Sequence, residues 1–135
     1  MVLTARSVPS AIHNSIAFAA LTNGRPLEAA RALHRLRQAS GTPPMTYAMC
    51  LVNLSWAASE LGHPESAGLY WRDAYALTRQ HHIRRIDSGL ALNRTRLLLH
   101  AGRLREAARM GRLALRLVTP RMRYRSVLLK LLVRM

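Results

Sequence analysis

The sequence predicts an all-α protein, and three observations lead to that prediction. Ala, Leu and Arg dominate the 135 residues, while aromatic residues make up only 5% and β-branched residues are scarce, which favours helices over strands. An internal repeat is marked by glycine turns, and apolar residues recur at helical spacing. Half of the residues are hydrophobic, which is enough for one globular unit with its own core.

The repeat consists of three segments that align on a turn glycine. Gly24, Gly62 and Gly102 stand 38 and 40 residues apart. An alanine follows each glycine after five residues, and an asparagine precedes the second and third by nine: Ala29, Ala67, Ala107, Asn53 and Asn93. We therefore predict that each unit forms a helix, a left-handed glycine C-cap and a second helix. The small residue of the second helix allows the two helices to approach each other closely.

The elements follow from these signals in chain order. The first unit ends in a Gly-Pro-rich turn at residues 40–44, Pro26 and Pro64 mark helix starts, and Pro120 breaks the chain before the last helix. The helix of residues 45–60 has apolar residues around most of its surface, which predicts burial on more than one side. We predict helices at about 10–22, 26–39, 45–60, 64–81, 84–100, 103–118 and 121–135. Residues 1–9 are expected to be a flexible N-terminus, and residues 10–135 one domain with units at about 10–40, 45–81 and 84–118 and a final helix.

The second and third units share a family pattern. The second contains Asn53-Leu54, Leu61-Gly62, Glu65, Ala67, Trp71 and Ala74 to Leu77, and the third contains Asn93, Gly102, Glu106-Ala107 and Ala114-Leu115. Over residues 10–120 the chain resembles the tetratricopeptide repeat, with units longer than its usual 34 residues and with Ser55, Thr95 and Arg94 departing from it. The resemblance implies a right-handed α-solenoid of three helix-turn-helix units plus a C-terminal helix, like the sensor regions of bacterial transcriptional activators.

Such a stack has a concave side lined by the first helix of each unit. The residues predicted to line this groove are Asn14, Phe18, Val52, Trp56, Ser59, Leu92, Arg96 and Leu99. Most are apolar, which favours an amphipathic helix or an extended peptide with apolar anchors as the ligand. We therefore expect a non-catalytic protein- or peptide-binding module: an adaptor, a chaperone-like subunit or the sensor part of a regulator. The alternative is that Trp56 and Phe18 simply pack between units.

Charge is concentrated in the C-terminal half. The chain carries a net charge of +15, and from Arg79 onwards fifteen cations face only Asp87 and Glu106. The residues predicted to form a face toward an anionic partner are Arg109, Arg112, Arg116, Arg121, Arg123, Tyr124 and Arg125. Nucleic acid is the alternative ligand for the protein, because arginines bind phosphates bidentately and Tyr124 is suited to stacking on a base. An acidic protein, an anionic membrane surface or plain solvation remain open.

Other signals limit the remaining functions. No catalytic, metal-binding or cofactor motif is visible, so we expect no enzyme, no metal and no cofactor. Cys50 is expected to be a buried packing thiol, and His81-His82 to be solvated or to cap a helix. No apolar stretch is long enough to span a membrane, and the single cysteine suits a reducing cytoplasm. Because the last helix is apolar on too many sides, we predict that part of it is covered by a second copy in a homodimer, by a partner protein or by further repeats.

Overall fold

The computed structural model describes residues 10–118 and 124–133. These residues form helices and turns with no β-strand among them, which confirms the all-α prediction. The helices are α1 (Ser10–Thr22), α2 (Pro26–Gln38), α3 (Pro44–Glu60), α4 (Pro64–Gln80), α5 (Asp87–His100), α6 (Leu104–Leu117) and α7 (Tyr124–Val133). The N-terminus predicted to be flexible lies outside the described residues.

The bounds of α1 to α6 agree with the predicted bounds to within three residues. The largest difference is at α5, which was expected from residue 84 and begins at Asp87. The Asp87 N–H donates to the carbonyl of Arg84 at 3.1 Å, and this bond closes a separate turn before the helix. Both predicted ends of the last helix, at residues 121 and 135, lie outside the described residues.

The predicted glycine C-caps are confirmed. Gly24, Gly62 and Gly102 have φ angles of +71°, +80° and +75°. After α3, the His63 N–H donates to the carbonyl of Ala58 at 2.9 Å and the Gly62 N–H to that of Ser59 at 3.2 Å. Equivalent pairs of bonds close α1 and α5. Each helix thus ends in a Schellman motif, in which glycine adopts the left-handed conformation without steric cost.

A fourth turn of this kind is made by a residue other than glycine. His82 follows α4 with φ +53°, and the Ile83 N–H donates to the carbonyl of Thr78 at 2.9 Å. A side chain in this conformation costs about 1–2 kcal/mol, because Cβ crowds the following carbonyl oxygen. The His82 side chain is exposed, so no packing offsets this cost.

We therefore expect His82→Gly to stabilise the protein by about 0.5–1 kcal/mol, the relief of strain being partly offset by the freer unfolded chain. The measurement is urea denaturation followed by circular dichroism. His81→Gly is the matched control, because His81 has φ −102° and gains no relief. Equal destabilisation by both changes would contradict the prediction.

The helices pack as the neighbouring pairs α1/α2, α3/α4 and α5/α6, and α3 also contacts α1, α2 and α5. Residues 50–59 of α3 are all buried, which confirms that this helix is covered on more than one side. The alanines five residues after each turn glycine, Ala29, Ala67 and Ala107, are fully buried. The Ser55 hydroxyl donates to the carbonyl of Ala67 at 2.7 Å, so α3 and α4 touch at this small residue.

The last helix, α7, packs on α5 and α6. Leu128 and Leu131 are buried against Leu92 and Ala114. Val133, in contrast, is 86% exposed. Part of the apolar surface of α7 therefore covers the α5/α6 pair, while Leu129 and Val133 stay exposed.

Candidate functional site

The residues predicted to line a concave groove lie on three helices in contact, α1, α3 and α5. The structure buries Asn14, Phe18, Val52, Trp56, Ser59, Leu92 and Arg96 and half-buries Leu99. Phe18, Trp56 and Arg96 contact one another, and α7 lines a cavity beside Trp56 and Arg96. Binding of a partner along their whole length stays a prediction.

An aromatic pair and a buried arginine form the centre of this cluster. The rings of Phe18 and Trp56 meet edge to face, with centroids 5.9 Å apart and planes at 75°. The Arg96 guanidinium carbon lies 4.2 Å from the Trp56 ring centroid, and Arg96 is only 3% exposed. Arg96 Nη1 donates to Asn93 Oδ1 at 2.5 Å, and Nε lies 3.8 Å from the Glu60 carboxylate. Both rings therefore pack between helices, as the alternative in the sequence analysis proposed.

Three asparagines tie the first helices of the pairs together. Asn14 Nδ2 donates to the carbonyl of Thr46 at 3.0 Å, and Asn93 Nδ2 donates to that of Val52 at 3.5 Å. Asn53 Nδ2 donates to Asn14 Oδ1 at 3.3 Å. Asn53 Oδ1 is buried and accepts no hydrogen bond from any described residue. A buried acceptor without a donor costs about 1–3 kcal/mol, so it marks a place where a ligand could supply one.

This unsatisfied asparagine lines a cavity between α1 and α3. The cavity has a volume of about 210 Å³ and is lined by Ala11, Asn14, Ser15, Phe18, Met45, Thr46, Met49 and Asn53. Of these residues, Ala11, Ser15 and Met45 are exposed and form its rim. Asn14 and Phe18 were predicted to line the concave groove, whereas Asn53 and Met45 were not among the predicted site residues, because their place in this cavity depends on how α1 packs on α3.

A second cavity, of about 220 Å³, lies where α7 faces the C-terminal ends of α1 and α3. Trp56, Glu60 and Arg96 line one side, and Val127, Lys130 and Leu131 line the other. The approach of α7 to this region was not predicted, because the sequence does not show on which helices the last one packs.

The largest cavity described, about 490 Å³, holds a serine–histidine contact. Ser59 Oγ lies 2.7 Å from His100 Nδ1, which links α3 to α5. Arg94, Leu97 and Gly68 also line this cavity. No carboxylate bonds to His100 among the described residues, so the pair lacks the group that orients the base in a hydrolytic triad.

The arginine-rich face that is predicted to meet an anionic partner lies only partly within the described residues. Arg109, Arg112 and Arg116 are exposed on α6, and Arg125 is half-buried on α7. Arg121 and Arg123 lie outside the described residues, as does the side chain of Tyr124. The three arginines of α6 follow one side of the helix, opposite buried Ala107, Gly111 and Ala114.

An arginine–aromatic stack on α4 was missed by the sequence analysis. The Trp71 and Tyr75 rings are stacked, with centroids 5.4 Å apart and planes at 14°. Arg79 lies 4.8 Å from the Tyr75 centroid and Arg94 lies 5.3 Å from that of Trp71. Trp71 Nε1 also donates to the carbonyl of Leu90 at 2.9 Å. The i, i+4 spacing of Trp71 and Tyr75 was the available signal, whereas Arg94 comes from another helix.

Cys50 is a buried free thiol, as predicted. Its Sγ lies 3.5 Å from the carbonyl of Leu33, to which the thiol donates, and burial raises the pKa of Cys50 to about 12. A thiol reagent is therefore expected to label the folded protein at pH 8 at least 10-fold more slowly than the urea-unfolded chain, because only the thiolate reacts. Equal labelling rates would show that Cys50 is open to solvent.

The same pKa shift gives a sign for the pH dependence of stability. Between the ordinary pKa near 9 and the folded-state value of about 12, the folded chain holds the thiol proton more tightly than the unfolded chain. The contribution of Cys50 to the free energy of unfolding is therefore constant below pH 9 and decreases from there to pH 12.

No protein-family model, curated protein or solved structure matches the chain. In the part of the chain that the structure describes, no helix has the length and apolarity needed to cross a membrane. Within the same ranges no three His, Cys, Asp or Glu side chains are grouped as metal ligands.

Proposed function

We propose that this chain is a non-catalytic binding module that captures an extended segment of a partner protein. In this proposal its helix pairs form a right-handed α-solenoid of the tetratricopeptide-like kind, with α7 as a terminal helix. The three packed pairs, each with a left-handed glycine turn and a fully buried alanine, support that arrangement.

The cavity between α1 and α3 carries the proposal. Its volume of about 210 Å³ exceeds the roughly 150 Å³ that accommodates a benzene molecule in a protein core. Phe18, Met45 and Met49 supply its apolar lining. Methionine is suited to contact with varied ligands, because its side chain is flexible and polarizable. One apolar side chain of a partner segment fits this space.

Asn53 adds the requirement that the ligand supply a hydrogen-bond donor. Its Oδ1 needs a donor, and its Nδ2 is already used by Asn14. An extended segment presents a backbone N–H beside each side chain, so a segment that inserts an apolar side chain also brings the missing donor. We propose that this N–H bonds to Asn53 Oδ1 in the complex.

The role that follows is that of an adaptor, a chaperone-like subunit or the sensor part of a bacterial regulator. We place it in the cytoplasm, because a reducing compartment keeps a lone cysteine such as Cys50 unpaired.

The proposal is tested with peptides selected on the full chain by phage display and measured by isothermal titration calorimetry. Met45→Glu puts a charge on the rim of the cavity, where Met45 is 38% exposed, and is expected to weaken binding at least 10-fold. Methylation of the peptide nitrogen next to the apolar anchor is expected to weaken binding similarly, because it removes the donor to Asn53.

The matched control is Leu69→Glu, which also replaces an exposed apolar side chain by glutamate, but on α4, and is expected to leave binding unchanged. The proposal of peptide capture at this cavity is wrong if no peptide is enriched, or if the enriched peptides bind the two variants equally.

A further inference from the structure

We infer that one face of α6 is a docking surface for the phosphodiester backbone of nucleic acid. The surface is the Arg ridge, defined as Arg105, Arg109, Arg112 and Arg116, all of which are exposed. This inference goes beyond peptide capture and does not depend on it.

The Arg ridge is continuous because of its spacing. Its residues are four, three and four positions apart, so they fall on one side of the helix and extend over about 16 Å at 1.5 Å per residue. The opposite side of α6, with Ala107 and Ala114, is fully buried. The helix is therefore held with its arginines toward solvent.

Within residues 10–118 and 124–133, no acid forms an ion pair with the Arg ridge. Glu106, the one carboxylate of α6, is bonded by Arg103 through two hydrogen bonds of 2.9 and 2.7 Å. The four ridge arginines form no ion pair with the described residues, and after Glu106 the sequence has no further Asp or Glu. Like charges held in a row at this spacing repel one another, so a polyanion gains by binding there.

Nucleic acid fits this surface better than an acidic protein or a membrane. Four guanidinium groups at intervals of about 5 Å match a ligand that is charged at every repeat, and nucleic acid carries a dense, regular charge. Guanidinium also binds phosphate bidentately. An amphipathic helix binds a membrane by inserting its apolar face, whereas Ala107 and Ala114 opposite the ridge are fully buried in the protein and α6 packs against α5.

The neighbouring aromatic residues indicate that the docking does not depend on base sequence. Arg94 lines a cavity of about 300 Å³ together with Arg109 of the ridge, which connects the ridge to the stack on α4. In that stack Trp71 is covered by Arg94 and by Tyr75, and Tyr75 in turn by Arg79. Among the described residues both rings of this stack already have partners, and phosphate contacts carry the affinity.

The test is fluorescence anisotropy with labelled single-stranded RNA and labelled DNA duplex over a salt series. The ridge variant replaces all four ridge arginines with glutamine. Four phosphate contacts contribute a slope of log K against log salt of about −2.8 for the single strand and −3.6 for the duplex. We expect the variant to lose roughly that slope and to bind at least 10-fold more weakly at physiological salt.

The matched control removes the same charge elsewhere, by changing exposed Arg31, Arg35, Arg72 and Arg84 to glutamine, and is expected to weaken binding less than 3-fold. Circular dichroism verifies that both variants fold. Equal losses in the two variants, or no binding of the wild type at low salt, would overturn the inference. So would competition by polyglutamate as effective as RNA at equal charge, or binding to phosphatidylserine vesicles without binding to nucleic acid.

Discussion

Trp56→Ala is expected to lower the free energy of unfolding by about 4 kcal/mol, in the range found for large aromatic residues removed from a core. Trp56 is 7% exposed. Its removal takes away the edge-to-face contact with Phe18 and the ring over which Arg96 lies. The space left opens onto the cavity beside α7, so its walls can relax only in part.

Urea denaturation followed by circular dichroism measures this loss without using the fluorescence of the residue that is removed. Trp56→Phe keeps a ring against Phe18 and is expected to cost less than half as much. A loss below about 1 kcal/mol for Trp56→Ala would show that Trp56 faces solvent, as an open groove requires.

Arg96→Ala is expected to lower the free energy of unfolding by about 3 kcal/mol. Most of the loss comes from Asn93, which is 1% exposed and whose Oδ1 would lose its bond from Arg96, at a cost of about 1–3 kcal/mol. The contact of the guanidinium with Trp56 contributes further, because it is desolvated. The ion pair with Glu60 adds less than about 1 kcal/mol, because the Glu60 side chain is 37% exposed.

The control is Glu60→Gln, which removes only the ion pair and is expected to change stability by less than about 1 kcal/mol. A double-mutant cycle between the two positions measures their coupling. If Arg96→Ala costs no more than Glu60→Gln, then the guanidinium is not held in the core as described.

The losses of stability expected at Trp56 and Arg96 determine which substitutions can test binding. Changes at Trp56 or Arg96 lower stability, so a loss of partner capture in those variants would not identify a binding residue. The rim residue Met45 and the exposed Arg ridge are the informative positions, because substitutions there leave the packed core intact.

The helices of the protein and the turns between them follow from local patterns in the sequence. Two helices begin at Pro26 and Pro64, and three end in caps at Gly24, Gly62 and Gly102. These features depend on bonds between residues at most five positions apart, so they are visible as local patterns. The burial of Cys50 and of the alanine after each turn also followed, since repeat spacing and helical period place them on inward faces.

Which of the predicted site residues are accessible depends on how the helices pack against one another. The contact of Ser59 with His100 and that of Asn93 with Val52 each join residues 41 positions apart, and Arg94 reaches Trp71 from another helix. Such contacts depend on how helices rotate and approach one another, which periodicity does not specify. The predicted groove is therefore largely packed core, because the side chains of α1, α3 and α5 fill the space between those helices and α7 covers part of what remains.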